Sequence, residues 1–301
     1  MMPMRAQRFV LLWTLFCASC GPPARTAVVA PVGPVRSVAP PSHVDPTYWV
    51  DVAQVVVDGS LTYLLLKNGN VFLDEGAGPR LYDDGTGTRQ IAADRGACYV
   101  LKDNGNIWRR QGATPWVKID SGTGTRQVLA AGGGVFLLKE DGAVFQWNGK
   151  EWIVIDVATG SVQLAGDPAS NLYTLKQNGN IFRRGEDGDW VKVDDGTATR
   201  QIAASHGMVY ALKENGNVWR RKNEKWALVD DGTGTKMIEA DGDRLFILKD
   251  DGAIWLLADD KLSQVHKDGS ARAIEAAGGW LYVLERDGKL LRESREILPA
   301  Y

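Results

Sequence analysis

The 301 residues include only three cysteines and three histidines. Cys17, Cys20 and Cys98 cannot build a disulfide framework. His43, His206 and His266 stand in separate parts of the chain, and no two have the spacing of metal ligands or of a base and its orienter. No Gly-x-Ser-x-Gly nucleophile motif occurs. The carboxylate pairs Asp83-Asp84 and Asp259-Asp260 are adjacent in sequence, the usual sign of a solvated turn. A net charge of −2 gives no basic surface for nucleic acid. Helical periodicity is missing from the repeated region. No catalytic residue, cofactor or metal is therefore expected, and the chain does not read as an enzyme.

What the chain has is repetition. Aligned on Leu-Lys-x-x-Gly, copies start at Gln54, Gln90, Gln127, Gln163, Gln201, Met237 and Ala273, 36 to 38 residues apart. A period of this length marks a repeat architecture. Each copy holds four short apolar runs separated by turn residues. In the second copy these are Gln90–Ala93, Ala97–Lys102, Asn106–Arg110 and Trp116–Asp120. Such runs, rich in Ile, Val, Tyr and Trp, read as strands. Between the second and third lies Asp103-Asn104-Gly105, where Asn-Gly suits a tight hairpin with positive φ angles. Four strands per copy and seven copies give an all-β chain folded as a seven-bladed β-propeller of four-stranded antiparallel blades.

Residue size agrees with that geometry. Neighbouring blades nearly touch at the axis and diverge outward, so small side chains belong inside and large ones outside. The first run carries Ala92-Ala93, Ala130-Ala131, Ala203-Ala204 and Ala276-Ala277. The outer runs carry Trp108, Trp219 and Trp255, then Trp116, Trp152, Trp190 and Trp226. Trp147 stands outside these columns and is expected to pack on Trp152 across its hairpin. The last copy stops short, so either 297–301 or Trp49–Val52 must complete it; the N-terminal run is favoured because Trp49 resembles the fourth-run tryptophans.

The first 48 residues read as an address and a tether. Arg5 and Arg8 precede Phe9–Phe16, an apolar stretch too short to span a bilayer. Residues 1–19 are expected to be a signal peptide, with Cys20 as the lipidated first residue of the exported form. The pattern resembles a bacterial lipoprotein signal, although Cys17 stands where Leu is usual. Residues 20–48 form a Pro-rich spacer, and the propeller occupies 49–301. An exported, membrane-anchored lipoprotein of the bacterial envelope follows, at the outer membrane or cell surface. Cys98 is expected to be a buried apolar residue.

Antiparallel strands bring the turn after the second run and the link after the fourth to one rim. That rim carries Asn104, Asn106, Asn178, Asn180, Asn215 and Asn217, together with Arg89, Arg126, Arg200 and Lys236 from Asp/Ser-Gly-Thr-Gly/Ala-Thr-Arg/Lys links. Such groups donate and accept hydrogen bonds in many directions and suit a polyhydroxylated ligand. The same residues also suit turns, with each Arg or Lys pairing an Asp of the next blade. The paired arginines Arg109-Arg110, Arg183-Arg184 and Arg220-Arg221 vary among copies, which argues against a shared structural need.

The segments Gly-Asn-Ile-Trp-Arg-Arg (105–110), Gly-Asn-Ile-Phe-Arg-Arg (179–184) and Gly-Asn-Val-Trp-Arg-Arg (216–221), each followed by Trp and then Asp, resemble tectonin-type repeats. The resemblance covers Gln54 to Tyr301 and implies a β-propeller, with lectin activity in several members of that family. Many tectonins have six repeats rather than seven. A glycan is therefore the expected ligand of a monomeric, non-catalytic binding protein, gaining avidity from repeated sites. The alternative is a scaffold that docks an envelope protein.

Overall fold

Alternating apolar residues in each copy dictate strands, and the strands assemble in chain order. The computed structural model describes residues 51–293 apart from residues 85, 158, 159, 195, 197 and 233. Blade 2 shows the pattern: Thr88–Asp94, Ala97–Lys102, Ile107–Gln111 and Val117–Asp120, each strand antiparallel to the one before it. Blades 1 to 6 each hold four such strands, and blade 7 holds three among the described residues (Ala271–Ala277, Trp280–Glu285 and Leu290–Glu293). The first strands neighbour one another around the ring, and the first strand of blade 7 lies beside that of blade 1. The protein is a seven-bladed β-propeller.

Burial follows position in the blade. The second strand has a sheet on both faces, so Ala97, Cys98, Tyr99, Val100 and Leu101 are all buried in succession. Cys98 is a free thiol whose pKa is raised by burial. The fourth strand is the outer edge and leaves Val117, Val191 and Leu228 exposed. Small residues sit innermost, where Ala92, Ala165, Ala203 and Ala276 are buried. Trp147 packs on Trp152 with ring centroids 5.1 Å apart.

Two expectations about the backbone change. Val52 opens the first strand of blade 1, buried and paired with Leu66, so it does not complete blade 7. Its place in the apolar alternation of Val52–Asp58 fixes it there. Trp49, Val50 and 297–301 lie outside the described residues, as do the signal, Cys20 and the spacer. The tight hairpins form, but their asparagines do not take the positive φ expected of them. Lys102 donates from its N–H to the carbonyl of Asn106 and accepts from the N–H of Gly105, enclosing three residues. Only Gly105 takes a positive φ, +83°, and a Cβ there would lie 2.7 Å from the carbonyl oxygen of Gly122. The side chain of Asn104 accepts from the N–H of Asn106 and closes the turn locally.

Glutamine side chains bind blade to blade. The carboxamide of Gln54 donates to the carbonyl of Ile91 (3.0 Å) and accepts from the N–H of the same residue (2.9 Å). Gln127 does the same to Leu164, Gln163 to Ile202 and Gln201 to Ile238. Gln90 accepts from the N–H of Val128. The amide thus completes a ladder that the splayed first strands cannot make by themselves. Gln163→Ala would leave both backbone groups of Ile202 unpaired against a buried side chain. It is expected to lower unfolding stability by about 2–3 kcal/mol. Urea denaturation should show this as a lower midpoint at unchanged slope.

Candidate functional site

The rim expected from sequence forms, but most of its charged residues are spent on holding the ring. The pairing of first and second strands skips one residue per blade, between Thr88 and Gln90 and again between Thr199 and Gln201. A bulge of this kind re-aims a side chain. It turns Arg89 onto the carbonyl of Thr125 and Arg200 onto that of Thr235, each in the next blade. Lys236 reaches the carbonyl of Arg272 at 2.7 Å, and Arg272 that of Val52 at 3.1 Å. These side chains therefore bind the backbone of the next blade rather than its Asp. Arg126 stands at the same bulge in blade 3 but is exposed and has no hydrogen bond or ion pair among the described residues.

The Asp residues pair instead with the lysine of the Leu-Lys repeat. Lys102 Nζ lies 2.7 Å from Asp83 Oδ2 of blade 1 and 2.7 Å from Thr88 Oγ1. Lys139 with Asp120 and Thr125, Lys176 with Asp156 and Ser161, Lys213 with Asp194 and Thr199, and Lys249 with Asp230 and Thr235 repeat the arrangement. Each trio crosses one seam between blades. These pairs are largely shielded, with lysine side chains 10–16% exposed. At the first blade the matching Lys67 meets Asp51 in the open, 49% and 63% exposed.

The asparagines divide by role. Asn104, Asn178 and Asn215 accept from the N–H two residues on and close their own turns. Asn106, Asn180 and Asn217 make no side-chain hydrogen bond among the described residues. Asn106 lines a cavity of about 480 Å³ over the seam of blades 1 and 2, floored by Asp83 and Lys102 and walled by Trp108 and Trp116. Asn180 lines its counterpart of about 490 Å³ in blade 4, with Asp156, Lys176, Phe182 and Trp190. Blade 6 repeats it at about 500 Å³, with Asp230, Lys249, Trp255 and Leu262. Like cavities thus open on one rim at blades 2, 4 and 6. Each joins an aromatic or apolar wall to an ion-paired floor.

In each arginine pair at least one member is held by a partner within the fold. Arg110 donates to the carbonyl of Tyr82 at 2.8 Å and stacks 4.3 Å over its ring. Arg184 reaches Gln146, and Arg220 pairs with Asp260 at 2.6 Å, lowering that carboxyl's pKa. Varied partners explain why these positions vary.

Two further carboxylates escape sequence reasoning. Glu239 and Glu275 stand on the first strands of blades 6 and 7, where the other copies carry Val56, Ala92, Leu129, Ala165 and Ala203. Neither accepts a hydrogen bond among the described residues. Burial pushes the Glu239 carboxyl up to about 8, and burial plus the charge of Glu239 raises Glu275 well above the carboxylate range. The signal was there in sequence as a break in the apolar column at the same two blades that lack the Gln bridge.

No family model matches the chain, and no curated protein matches it in sequence. Solved structures do share the fold. YCF48 bound to D1 peptide aligns with a TM-score of 0.63 at 16% identity, over 82% of this chain and 94% of that one. PorZ, an essential bacterial surface component of the type-IX secretion system of Porphyromonas gingivalis, aligns with a TM-score of 0.65 at 14% identity. That match covers 82% of this chain and 37% of PorZ. Prp20p from Saccharomyces cerevisiae aligns with a TM-score of 0.63 at 12% identity, over 82% and 84% of the two chains. At these identities the likeness is one of fold.

Two measurements follow from the shielded groups. Lys139→Ala leaves Asp120 charged and unpaired and should cost about 3 kcal/mol, whereas Lys67→Ala at the open pair should cost under about 1 kcal/mol. Paired denaturation curves of the two variants check the contrast. For Glu239 the folded-state pKa lies above the unfolded value, so the folded chain binds the extra proton. Its stability contribution is complete below about pH 4.5 and is lost as pH rises through about 8. Glu239→Gln should flatten that decline, read as thermal midpoints between pH 5 and 8.

Proposed function

We propose that this chain is a non-catalytic binding propeller of the bacterial envelope that docks a protein partner on the Asn/Arg rim. The observation that carries it is the recurrence of like cavities on several blades of one rim, with Asn106, Asn180 and Arg126 uncommitted to the fold. Spaced cavities suit an extended segment that lays several side chains down in turn, apolar ones against Trp108, Trp116 and Trp190 and polar ones against the asparagines. The shared fold of peptide-bound YCF48 and of the surface component PorZ supports a protein partner and an envelope location. Lipidation at Cys20 and the Pro-rich spacer would hold the ring clear of the membrane.

A glycan is the second reading. The aromatic walls favour it, because a sugar ring stacks on such a surface while Asn and Lys reach its hydroxyls, and so does the resemblance to tectonin-type repeats. The experiment sets the two against each other. The propeller is cross-linked in envelope fractions and, in parallel, applied to a glycan array. One cross-linked protein, lost in the triple variant Asn106→Ala, Arg126→Ala, Asn180→Ala, and no sugar bound above background, is the expected result. Saturable glycan binding that the same triple variant weakens at least tenfold would replace the protein reading with the lectin.

A further inference from the structure

Five seams of the ring carry the same cation, a lysine ammonium held between an Asp and a Thr or Ser. The seam between blades 6 and 7 has lost it. Glu285 stands where those seams have Lys, His266 where they have Asp, and Ala271 where they have the hydroxyl, now moved one residue back to Ser270. The cationic position has become anionic and the Asp opposite has become an imidazole, with Asp268 and Glu293 against its two nitrogens.

The side chains nevertheless converge. His266, Asp268 and Glu285 each place a ligand atom within 4.8 Å of the others. Nε2 of His266, which is buried, lies 2.6 Å from Asp268 Oδ1 and 3.3 Å from Ser270 Oγ. Ser270 Oγ in turn lies 2.6 Å from Asp268 Oδ1 and donates to Glu285 Oε1 at 2.8 Å. On the other side of the ring, Nδ1 of His266 lies 3.1 Å from Glu293 Oε1, and Glu293 Oε2 is buried with no partner. No Lys or Arg forms an ion pair with Asp268, Glu285 or Glu293 among the described residues.

We propose that this seam binds a divalent transition-metal ion of the zinc class through His266 Nε2, Asp268 and Glu285. The ion takes over the charge that Lys Nζ supplies elsewhere in the ring. Two independent features lead there. The first is positional, since five equivalent seams each hold a cation at this point. The second is the carboxylate behind the imidazole. A ligating histidine typically donates its other N–H to a carboxylate, which fixes the tautomer and raises its basicity, and Glu293 stands in that place. One nitrogen and two carboxylates make a borderline donor set that zinc accepts at about 2.0–2.2 Å, with a fourth position left for water or another ligand. Ion entry requires Nε2 and Asp268 Oδ1 to part slightly, which the exposed Asp268 can do.

The full-length chain, stripped with chelator and desalted, is titrated with zinc, and bound metal and thermal midpoint are measured. One equivalent per chain and a raised midpoint are expected. His266→Ala should abolish tight binding, and Glu293→Gln should weaken it at least tenfold. Because His266→Ala could misfold, a second variant rewrites the seam as its sisters are written: His266→Asp, Ala271→Thr, Glu285→Lys. It should fold with the parent's circular dichroism, bind no zinc at this seam, and keep His43 and His206 as a control for surface binding. The proposal fails if that variant binds zinc as tightly as the parent. It also fails if no zinc binds and the seam merely loosens as pH rises, since His266 would then have carried the charge as an imidazolium.

Discussion

A ring of separate sheets exists only if each sheet is bound to the next, and here that binding is carried by side chains acting as backbone. Adjacent first strands splay too far to share a ladder. A glutamine carboxamide sets an N–H donor beside a carbonyl acceptor on one edge, matching the C=O and N–H that one strand residue turns to the same side. Placed at the start of a first strand, it meets one residue of the next strand from both sides, as Gln54 meets Ile91. The lysine trios and the bulged arginines bind the rim of the same seams. The wedge of Ala inside and Trp outside fills space, but it has no direction. The polar bridges supply the register.

This division explains which parts of the molecule were legible in sequence. Strand positions, blade count and the size gradient depend on alternation and volume, which one repeat displays and seven repeats confirm. The tight turn after the second strand was legible, but not that its three-residue loop needs a positive φ at Gly105 alone. The rim was located correctly, yet the roles of Arg89, Arg200 and Lys236 were not. Their targets are backbone carbonyls about one repeat away, and a carbonyl leaves no signature in sequence. Asn106 and Asn180 differ from Asn104 and Asn178 only by what the turn consumes, and that is settled by hydrogen bonds rather than by composition.

Regularity also has a logic at its failures. Five seams keep both the glutamine bridge and the lysine trio. The sixth and seventh blades lose glutamine to Met237 and Ala273, and in the same place gain Glu239 and Glu275 on the inner strands. At the seam between those blades the trio becomes His266, Ser270 and Glu285. Most of these changes add a carboxylate or remove a neutral bridge, and His266 alone takes a carboxylate away. Self-repulsion therefore concentrates next to the point where the chain must close its ring.

A seam weakened in this way needs compensation, and the chain offers it in two forms. Protonation can neutralise the inner pair, because two carboxylates held in low dielectric cannot both ionise cheaply. That neutralisation needs no added component and follows pH. At the rim the arrangement differs, since a histidine backed by a carboxylate and faced by two others collects ligands of unlike type instead of sharing one proton. The inner pair and the rim cluster thus call for different cations, a proton in the first case and a metal in the second. Both would act on the blades where the repeat departs from itself, while the cavities lined by Asn106 and Asn180 lie on blades 2 and 4 and the third lies on blade 6, at the edge of the departure. The seam between blades 6 and 7 and the Asn-lined cavities of blades 2 and 4 thus lie on different arcs of one ring, so a cation at the first need not disturb the second.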